Sequence, residues 1–313
     1  MTVNKKRRRR KIFFAALLVI AVPLIVLFAE IPVQPPAVGQ FTQVDQCRIH
    51  YVTEGHGQDV VLLHGTDGSL NDFRLSPLWQ QLKDRCRLTA FDRPGRALST
   101  PGIYTIDEQI EITHQLLGQL GVHKPVLVAH SWSGILALAY ALRFPTEVKG
   151  IVLLGGWVYP LENPLPAEAR LVLLPAVGPL FAQIGYRTRE SQIQDLLDEG
   201  FGPSQAPTNY RHDAMKRWFW SRDQIISCTA EVDEGNTYLA RMSKRYKEVT
   251  VPVVALAGDA DKAVPPEQSE RIAAEVRDGT FISLTGQPHY IQFTRADAIA
   301  FGIKTLLDLR AKQ

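Results

Sequence analysis

An apolar run at residues 126–128 passes into Ala129-His130-Ser131-Trp132-Ser133-Gly134 and then, without a linker, into an alanine-rich helical stretch at 135–142. A strand that becomes a helix over so few residues must turn sharply. The residues two before and two after the tip must then be small, because strand and helix crowd together there. Ala129 and Ser133 meet that need, with Gly134 behind them. Such an elbow lifts the side chain at its tip clear of the backbone, which makes the Ser131 hydroxyl the candidate nucleophile.

Short apolar runs alternate with helical segments through the rest of the chain, the βαβ rhythm of a mostly parallel sheet. The strands read from this pattern are 42–44, 47–53, 60–63, 87–91, 126–129, 148–154, 251–257 and 280–284. About a hundred residues separate the sixth from the seventh, too many for a simple crossover. Residues 157–249 are therefore expected to form a mainly helical cap inserted into a core of residues 41–156 and 250–313. The stretches 171–174 and 177–181 and Trp218-Phe219-Trp220 are more apolar than a solvated lid requires. Most of them should pack the cap onto the core; the alternatives are an acyl pocket or contact with lipid.

A serine hydroxyl is a weak nucleophile near neutral pH, so it needs a base within hydrogen-bond reach and a third group that orients the base. Gly258-Asp259-Ala260-Asp261 follows the seventh strand, and Gly286-Gln287-Pro288-His289 follows the eighth. His289 fits the base; Asp259 and Asp261 both stand where the orienting carboxylate belongs. Taken singly, each has a plainer reading as a helix cap or a loop residue. Upstream, the third strand runs into His64-Gly65-Thr66-Asp67-Gly68-Ser69. The backbone amides of Thr66 and Trp132 are the expected oxyanion donors. His64 and His130 are expected to brace and pack. Trp157 and Tyr159, just past the sixth strand, either wall the mouth of a substrate pocket or pack.

From about Phe41 to the C-terminus the chain resembles the α/β-hydrolase superfamily. The resemblance is carried by Leu63-His64-Gly65, Phe91-Asp92-Arg93-Pro94-Gly95-Arg96-Ala97-Leu98-Ser99, His130-Ser131-Trp132, Gly258-Asp259-Ala260-Asp261 and Pro288-His289. It implies an eight-stranded, mostly parallel α/β sheet with a helical cap after strand six. It also implies the triad order serine, acid, histidine, with Asp261 as the acid because similar hydrolases carry it at the second aspartate. Ala97 stands where the superfamily has a glycine, and Asp92 and Arg93 are expected to act as a structural brace.

Similar epoxide hydrolases and haloalkane dehalogenases use an aspartate nucleophile at the position of Ser131, which argues against both activities. The expected function is cleavage of a carboxylic ester, of hydrophobic or small acyl group, through an acyl-enzyme. Carbon–carbon bond hydrolases and perhydrolases keep the serine. Proline iminopeptidases share the tryptophan after it and grip a free amine with cap carboxylates, for which Glu231, Asp233 and Glu234 are candidates; otherwise these three form a solvated face. A non-catalytic binding protein is a further alternative. No cofactor or metal is required, and neither zinc-ligand spacing nor a phosphate-cradling loop is present in the sequence.

The net charge of +3 is misleading, since seven basic residues lie in the first eleven. Without residues 1–30 the body carries 28 basic and 31 acidic groups, so it offers no basic footprint for nucleic acid. After the leader, residues 12–29 hold no charge. As a helix these 18 residues would rise about 27 Å, enough to cross the hydrocarbon core. They are expected to be an uncleaved transmembrane signal anchor, with the leader (1–11) cytoplasmic and the catalytic body on the extracytoplasmic side. A removed signal peptide and a soluble chain are the alternatives. Residues 30–40 form a Pro-rich linker. The partners so implied are a small-molecule ester and the lipid bilayer, with no obligate protein partner evident. Cys47 and Cys86 should lie at opposite ends of neighbouring strands, too far apart for a disulfide, whereas pairing of Cys228 stays open.

Overall fold

The computed structural model describes residues 38–217 and 221–308. Eight strands form one sheet: β1 (Gln40–Val44), β2 (Cys47–Glu54), β3 (Gln58–Leu63), β4 (Cys86–Phe91), β5 (Val126–His130), β6 (Gly150–Leu154), β7 (Val253–Gly258) and β8 (Gly279–Leu284). Their order across the sheet is β1-β2-β4-β3-β5-β6-β7-β8. β2 runs antiparallel to both its neighbours and β3 to β8 are mutually parallel, the eight-stranded, mostly parallel sheet expected from the sequence.

The central strands read as unbroken apolar runs because both faces of a parallel sheet are covered. Alternate residues divide between the two sides. Val61, Leu63, Leu127, Ala129, Ile151 and Leu153 join one apolar cluster, and Val60, Leu62, Val126, Val128, Val152 and Leu154 join the other. The second face is covered by the short helices α1 (Asn71–Arg74) and α2 (Pro77–Leu82), and the first by α3 (Ile106–Gln119) and α4 (Ser133–Arg143). Helix α3 starts at a capping box, in which the Glu108 amide donates to Thr105 Oγ1 (3.2 Å) and the Thr105 amide to Glu108 Oε2 (2.7 Å).

Between β6 and β7 lie α5 (Gly178–Arg187), α6 (Arg189–Phe201), α7 (Thr208–Arg217) and α8 (Arg222–Met242), with short 3-10 turns at Ala169–Leu173 and Ser243–Glu248. After β7, α9 (Glu267–Glu275) packs on the first face, and α10 (Ile291–Thr294) and α11 (Ala296–Asp308) pack on the second. The insertion builds its own apolar cluster from Tyr186, Ile193, Leu197, Phe201, Tyr210 and Ile225, and Tyr290 of the core enters that cluster.

Strands β6 and β7 each begin two residues later than the apolar pattern predicts. Val148 and Val251 are buried, but they fill the core from turns, and Pro252 has no amide to give to a ladder. The three cysteines are free and buried. Tyr51 pairs with Phe91 and Glu54 with Leu88, a register that sets Cys47 and Cys86 at opposite ends of β2 and β4. The basic leader, the expected transmembrane helix (12–29), most of the linker and Trp218-Phe219-Trp220 lie outside the described residues. Among the described residues no helix is long and apolar enough to cross a membrane.

Cap and core also meet through polar groups. Tyr210 Oη (2.9 Å) and the Ser69 amide (3.1 Å) both donate to Asp72 Oδ1, and Asn71 Nδ2 donates to Asp213 Oδ1 (3.0 Å). Burial pushes the Asp72 carboxyl up to about 7. The folded chain therefore keeps a proton that the unfolded chain releases near its ordinary value of 3.8. This term costs nothing below that value, erodes stability as the pH rises towards 7, and then levels off. Asp72→Asn is expected to remove it, so in urea unfolding the variant's stability relative to wild type should grow from pH 5 to pH 8, by at most about 3 kcal/mol. An unchanged difference between the two pH values would refute the assignment.

Candidate active site

Ser131 stands between β5 and α4 with φ at 55°, a left-handed conformation that non-glycine residues adopt only where their surroundings impose it. The surroundings are backbone: the Ser131 amide donates to Leu154 O (3.0 Å), and its carbonyl accepts from the Gly134 (2.9 Å) and Trp157 (2.9 Å) amides. A Cβ on Gly134 would lie 3.0 Å from Val158 Cγ1 and 3.3 Å from Gly156 Cα, so the loop after β6 crowds the start of the helix. Ser133 is buried, and its hydroxyl donates to the carbonyl of His64. Ser133 thus ties the elbow to the loop after β3.

The loops after β7 and β8 bring Asp261 and His289 together. His289 Nδ1 lies 2.7 Å from Asp261 Oδ2, and both residues are buried. The other Asp261 oxygen accepts from the amides of Ala263 and Val264, each at 2.9 Å, which fixes the carboxylate. Asp259 is exposed and its Oδ1 accepts from the Gly286 amide (2.6 Å), so it serves the loop instead of the imidazole. His130 Nε2 lies 3.1 Å from His289 O, and the two rings lie 4.5 Å apart. Burial, with the nearby His289 adding to it, holds the His130 imidazole well below its usual range, so it is neutral and donates from Nε2.

Gly155 joins these parts. It follows Leu154, whose carbonyl holds the Ser131 amide, and a Cβ on it would lie 2.8 Å from Asp261 Oδ2 and 3.1 Å from His289 Nδ1. Among the described residues Ser131 Oγ makes no hydrogen bond to the His289 ring; such contacts commonly tighten only once substrate is bound. Gly155 has φ of 51°. Gly155→Ala would therefore add backbone strain and displace the Asp–His pair. The expected result is a kcat lower by on the order of 10²-fold with a smaller change in KM, measured by steady-state ester hydrolysis.

The loop after β3 is held by an array that the sequence reading assigned only in part. Arg93 donates from Nε to His64 O (3.1 Å) and from Nη2 to Gly65 O (2.8 Å), and Arg96 donates from Nε to Thr66 O (2.8 Å). Three successive carbonyls thus turn towards guanidiniums. In a trans peptide the amide points away from its carbonyl, so the grip on Gly65 O aims the Thr66 amide away from the arginines. Neither the Thr66 nor the Trp132 amide donates a hydrogen bond among the described residues. His64 Nε2 accepts from the Arg93 amide (2.9 Å), which leaves the proton on Nδ1 to donate to Gly65 O (2.8 Å). Burial holds this imidazole well below its usual range, so it is neutral.

Glu231 on cap helix α8 lies on no solvated face. It is buried, pairs with both Arg93 and Arg96, and accepts a further bond from Gln109 Nε2 (3.0 Å). Burial opposes its charge, but the two guanidiniums outweigh that and hold the carboxyl below its ordinary range. Asp233 pairs with Arg170 (3.0 Å), and Glu234 accepts from the Ile106 amide at the start of α3 (3.2 Å). All three cap carboxylates are committed. Asp92 is a brace within the loops: its oxygens accept from the amides of Leu70 (2.8 Å) and Leu98 (3.1 Å), and His50 Nδ1 lies 2.8 Å away. Ala97, in the glycine position, takes the left-handed conformation of a glycine with φ at 40°.

Trp157 and Tyr159 are both buried. The indole Nε1 donates to Tyr159 O (2.8 Å), and the Tyr159 ring meets Tyr246 edge-on (5.4 Å) with Arg271 over its face (3.9 Å). Both therefore have packing partners. Cap helix α6 closes over the histidine loop where Gly200 leaves room for Tyr290. A Cβ there would fall 2.6 Å from that ring, which stacks on Phe201 at 4.6 Å.

Comparison with known proteins agrees with this architecture. The chain is 27% identical over 266 residues to a haloalkane dehalogenase 2 of Mycobacterium tuberculosis, covering 82% of this chain and 90% of that one. It is 27% identical over 278 residues to a bifunctional esterase/perhydrolase of Acinetobacter calcoaceticus, covering 83% and 96% respectively. The crystal structure of a haloalkane dehalogenase from Bradyrhizobium elkani superposes with a TM-score of 0.72 at 19% identity, over 88% of this chain and 99% of that one. The sequence model of the alpha/beta hydrolase fold matches residues 60–296, and with the sheet order and the strand-end loops described above, the chain belongs to the α/β-hydrolase family of enzymes.

Proposed function

We propose that the protein is a membrane-tethered serine hydrolase that cleaves carboxylic esters through an acyl-enzyme. The observation that carries this reading is the buried Asp261–His289 pair beside Gly155, next to a serine held at a left-handed elbow. Ser131 Oγ attacks the ester carbon while His289 takes its proton. The oxyanion that forms is stabilised by the Thr66 and Trp132 amides, and the same proton passes to the departing alcohol. Water then attacks the acyl-serine with His289 again as base, releasing the acid and restoring the serine. Asp261 stays ionised and keeps the imidazole proton on Nδ1.

The serine also bears on dehalogenation. An oxygen nucleophile that displaces halide from an alkyl carbon leaves an ester when it is a carboxylate, which water can open. A serine would leave an ether, which has no such exit, so a haloalkane would alkylate Ser131 once and stop. The iminopeptidase reading needs a spare cap carboxylate, and Glu231, Asp233 and Glu234 each already serve a guanidinium or an amide. The related esterase/perhydrolase supports ester cleavage. The test is turnover of p-nitrophenyl esters with acyl chains from two to sixteen carbons by wild type and His289→Ala. Activity that survives the histidine change, or its absence in folded wild type, would overturn the proposal; the chain-length preference would size the acyl site.

A further inference from the structure

Helix α5 and the turn before it present apolar side chains to solvent. Leu174 is 47% exposed, Val177 38%, Leu180 46% and Ile184 48%. The Gly178 amide donates to Leu174 O (2.7 Å) and the Phe181 amide to Val177 O (3.2 Å), so the turn leads straight into the helix, with Leu174 itself extended. Positions three and four apart lie side by side on a helix, so Val177, Leu180 and Ile184 form one ridge, with Leu174 in the turn that leads into it. The opposite face, Ala182, Gln183 and Tyr186, is buried in the cap. From 171 to 186 the sequence carries no charge; Glu168 and Arg170, the latter paired with Asp233, precede that stretch, and Arg187, Arg189 and Glu190 follow it. An apolar ridge with Arg187 and Arg189 at one end matches an interfacial surface, acyl chains in the middle and anionic headgroups at that margin.

The sheet register says at which end of the parallel strands Gln40 lies. Gln40, where the chain joins the sheet, pairs with Tyr51, and Tyr51 pairs with Phe91, the last residue of parallel strand β4. The chain therefore enters at the C-terminal end of the parallel strands, the end that carries Ser131, His289 and the cap. Ten residues, 30–39, separate the apolar segment from Gln40. Fully extended they span at most about 35 Å, which bounds the distance from Gln40 to an anchor in the bilayer.

We infer that the cap rests on the bilayer, with Leu174, Val177, Leu180 and Ile184 among the lipid acyl chains, and that the enzyme draws its ester from the membrane. This rests on the reading of residues 12–29 as an anchor. The full chain, with Leu180→Cys, Ile184→Cys or, as a control, Gln119→Cys, would be labelled with an environment-sensitive fluorophore and reconstituted in vesicles of neutral and anionic phospholipid. The native cysteines are buried and Gln119 lies exposed at the last residue of α3.

Spin-labelled lipid is expected to quench the label at 180 and 184 at least threefold more than at 119. Leu180→Asp with Ile184→Asp should lower turnover of a bilayer-dissolved long-chain ester about tenfold and leave a water-soluble acetate ester unchanged. A water-like label at 180 on protein that stays with the vesicles after an alkaline wash would overturn the cap contact while sparing the anchor. Release by that wash would overturn both. A blue-shifted label that lipid does not quench would mean a protein partner on the ridge and would also refute the bilayer contact.

Discussion

Alanine at position 131 is expected to lower kcat for a soluble ester by on the order of 10⁴-fold or more while the fold and the KM stay near wild type. The change removes only the hydroxyl oxygen. The left-handed φ of 55° is imposed by backbone bonds to Leu154, Gly134 and Trp157, none of which alanine disturbs. The Thr66 and Trp132 amides remain, so some stabilisation of an attacking water's oxyanion persists and activity need not fall to the uncatalysed rate. An active-site-directed fluorophosphonate should label wild type and not Ser131→Ala. Asp261→Asn should behave differently: the nucleophile is intact, but an amide facing His289 Nδ1 favours the wrong tautomer, so labelling slows without being abolished. Turnover in Ser131→Ala within tenfold of wild type would sink the serine mechanism outright.

The candidate residues were legible because the fold places them where local sequence changes character. Ser131 follows its apolar strand directly and Asp261 and His289 lie in the loops just past theirs, and the small residues at 129, 133 and 134 announce the elbow without reference to any distant group. The partners of Arg93 and Arg96 were not legible, since Glu231 lies well over a hundred residues away in the inserted cap. Beside Asp233 and Glu234 it looks like one of a run of solvated acids. Helical period separates them: Cys228, Glu231, Gly235, Leu239 and Met242 recur at three- and four-residue steps, and all are buried on α8. Read on that stripe, a carboxylate demands a buried cation. Ala97 shows the converse, a position where the superfamily pattern asks for glycine and the backbone keeps the glycine conformation regardless.

Removing that carboxylate should destabilise the protein strongly. Glu231→Ala would leave two guanidiniums, both essentially without solvent access, with no counter-charge, and the loss of one partner from a buried ion cluster typically costs about 3 to 5 kcal/mol. Glu231 is held below its ordinary value of 4.5, so its contribution is complete above that pH and fades as the pH falls through it. The variant's deficit in urea unfolding should therefore be larger at pH 7 than at pH 4.

Stability and catalysis can be separated here, because the same arginines hold the carbonyls of His64, Gly65 and Thr66. Replacing Arg93, Arg96 and Glu231 together by methionine or leucine removes the three paired charges and should restore part of the stability, as apolar replacements of buried ion groups commonly do, with the Asp67 carboxyl beside them left to take up a proton. It should not restore kcat, since the oxyanion loop would lose the donors that aim its amides. Recovery of both together would mean that the cluster only fills space. Recovery of stability alone would make the two arginines positioning residues for the oxyanion loop, with Glu231 of the cap as their counter-charge.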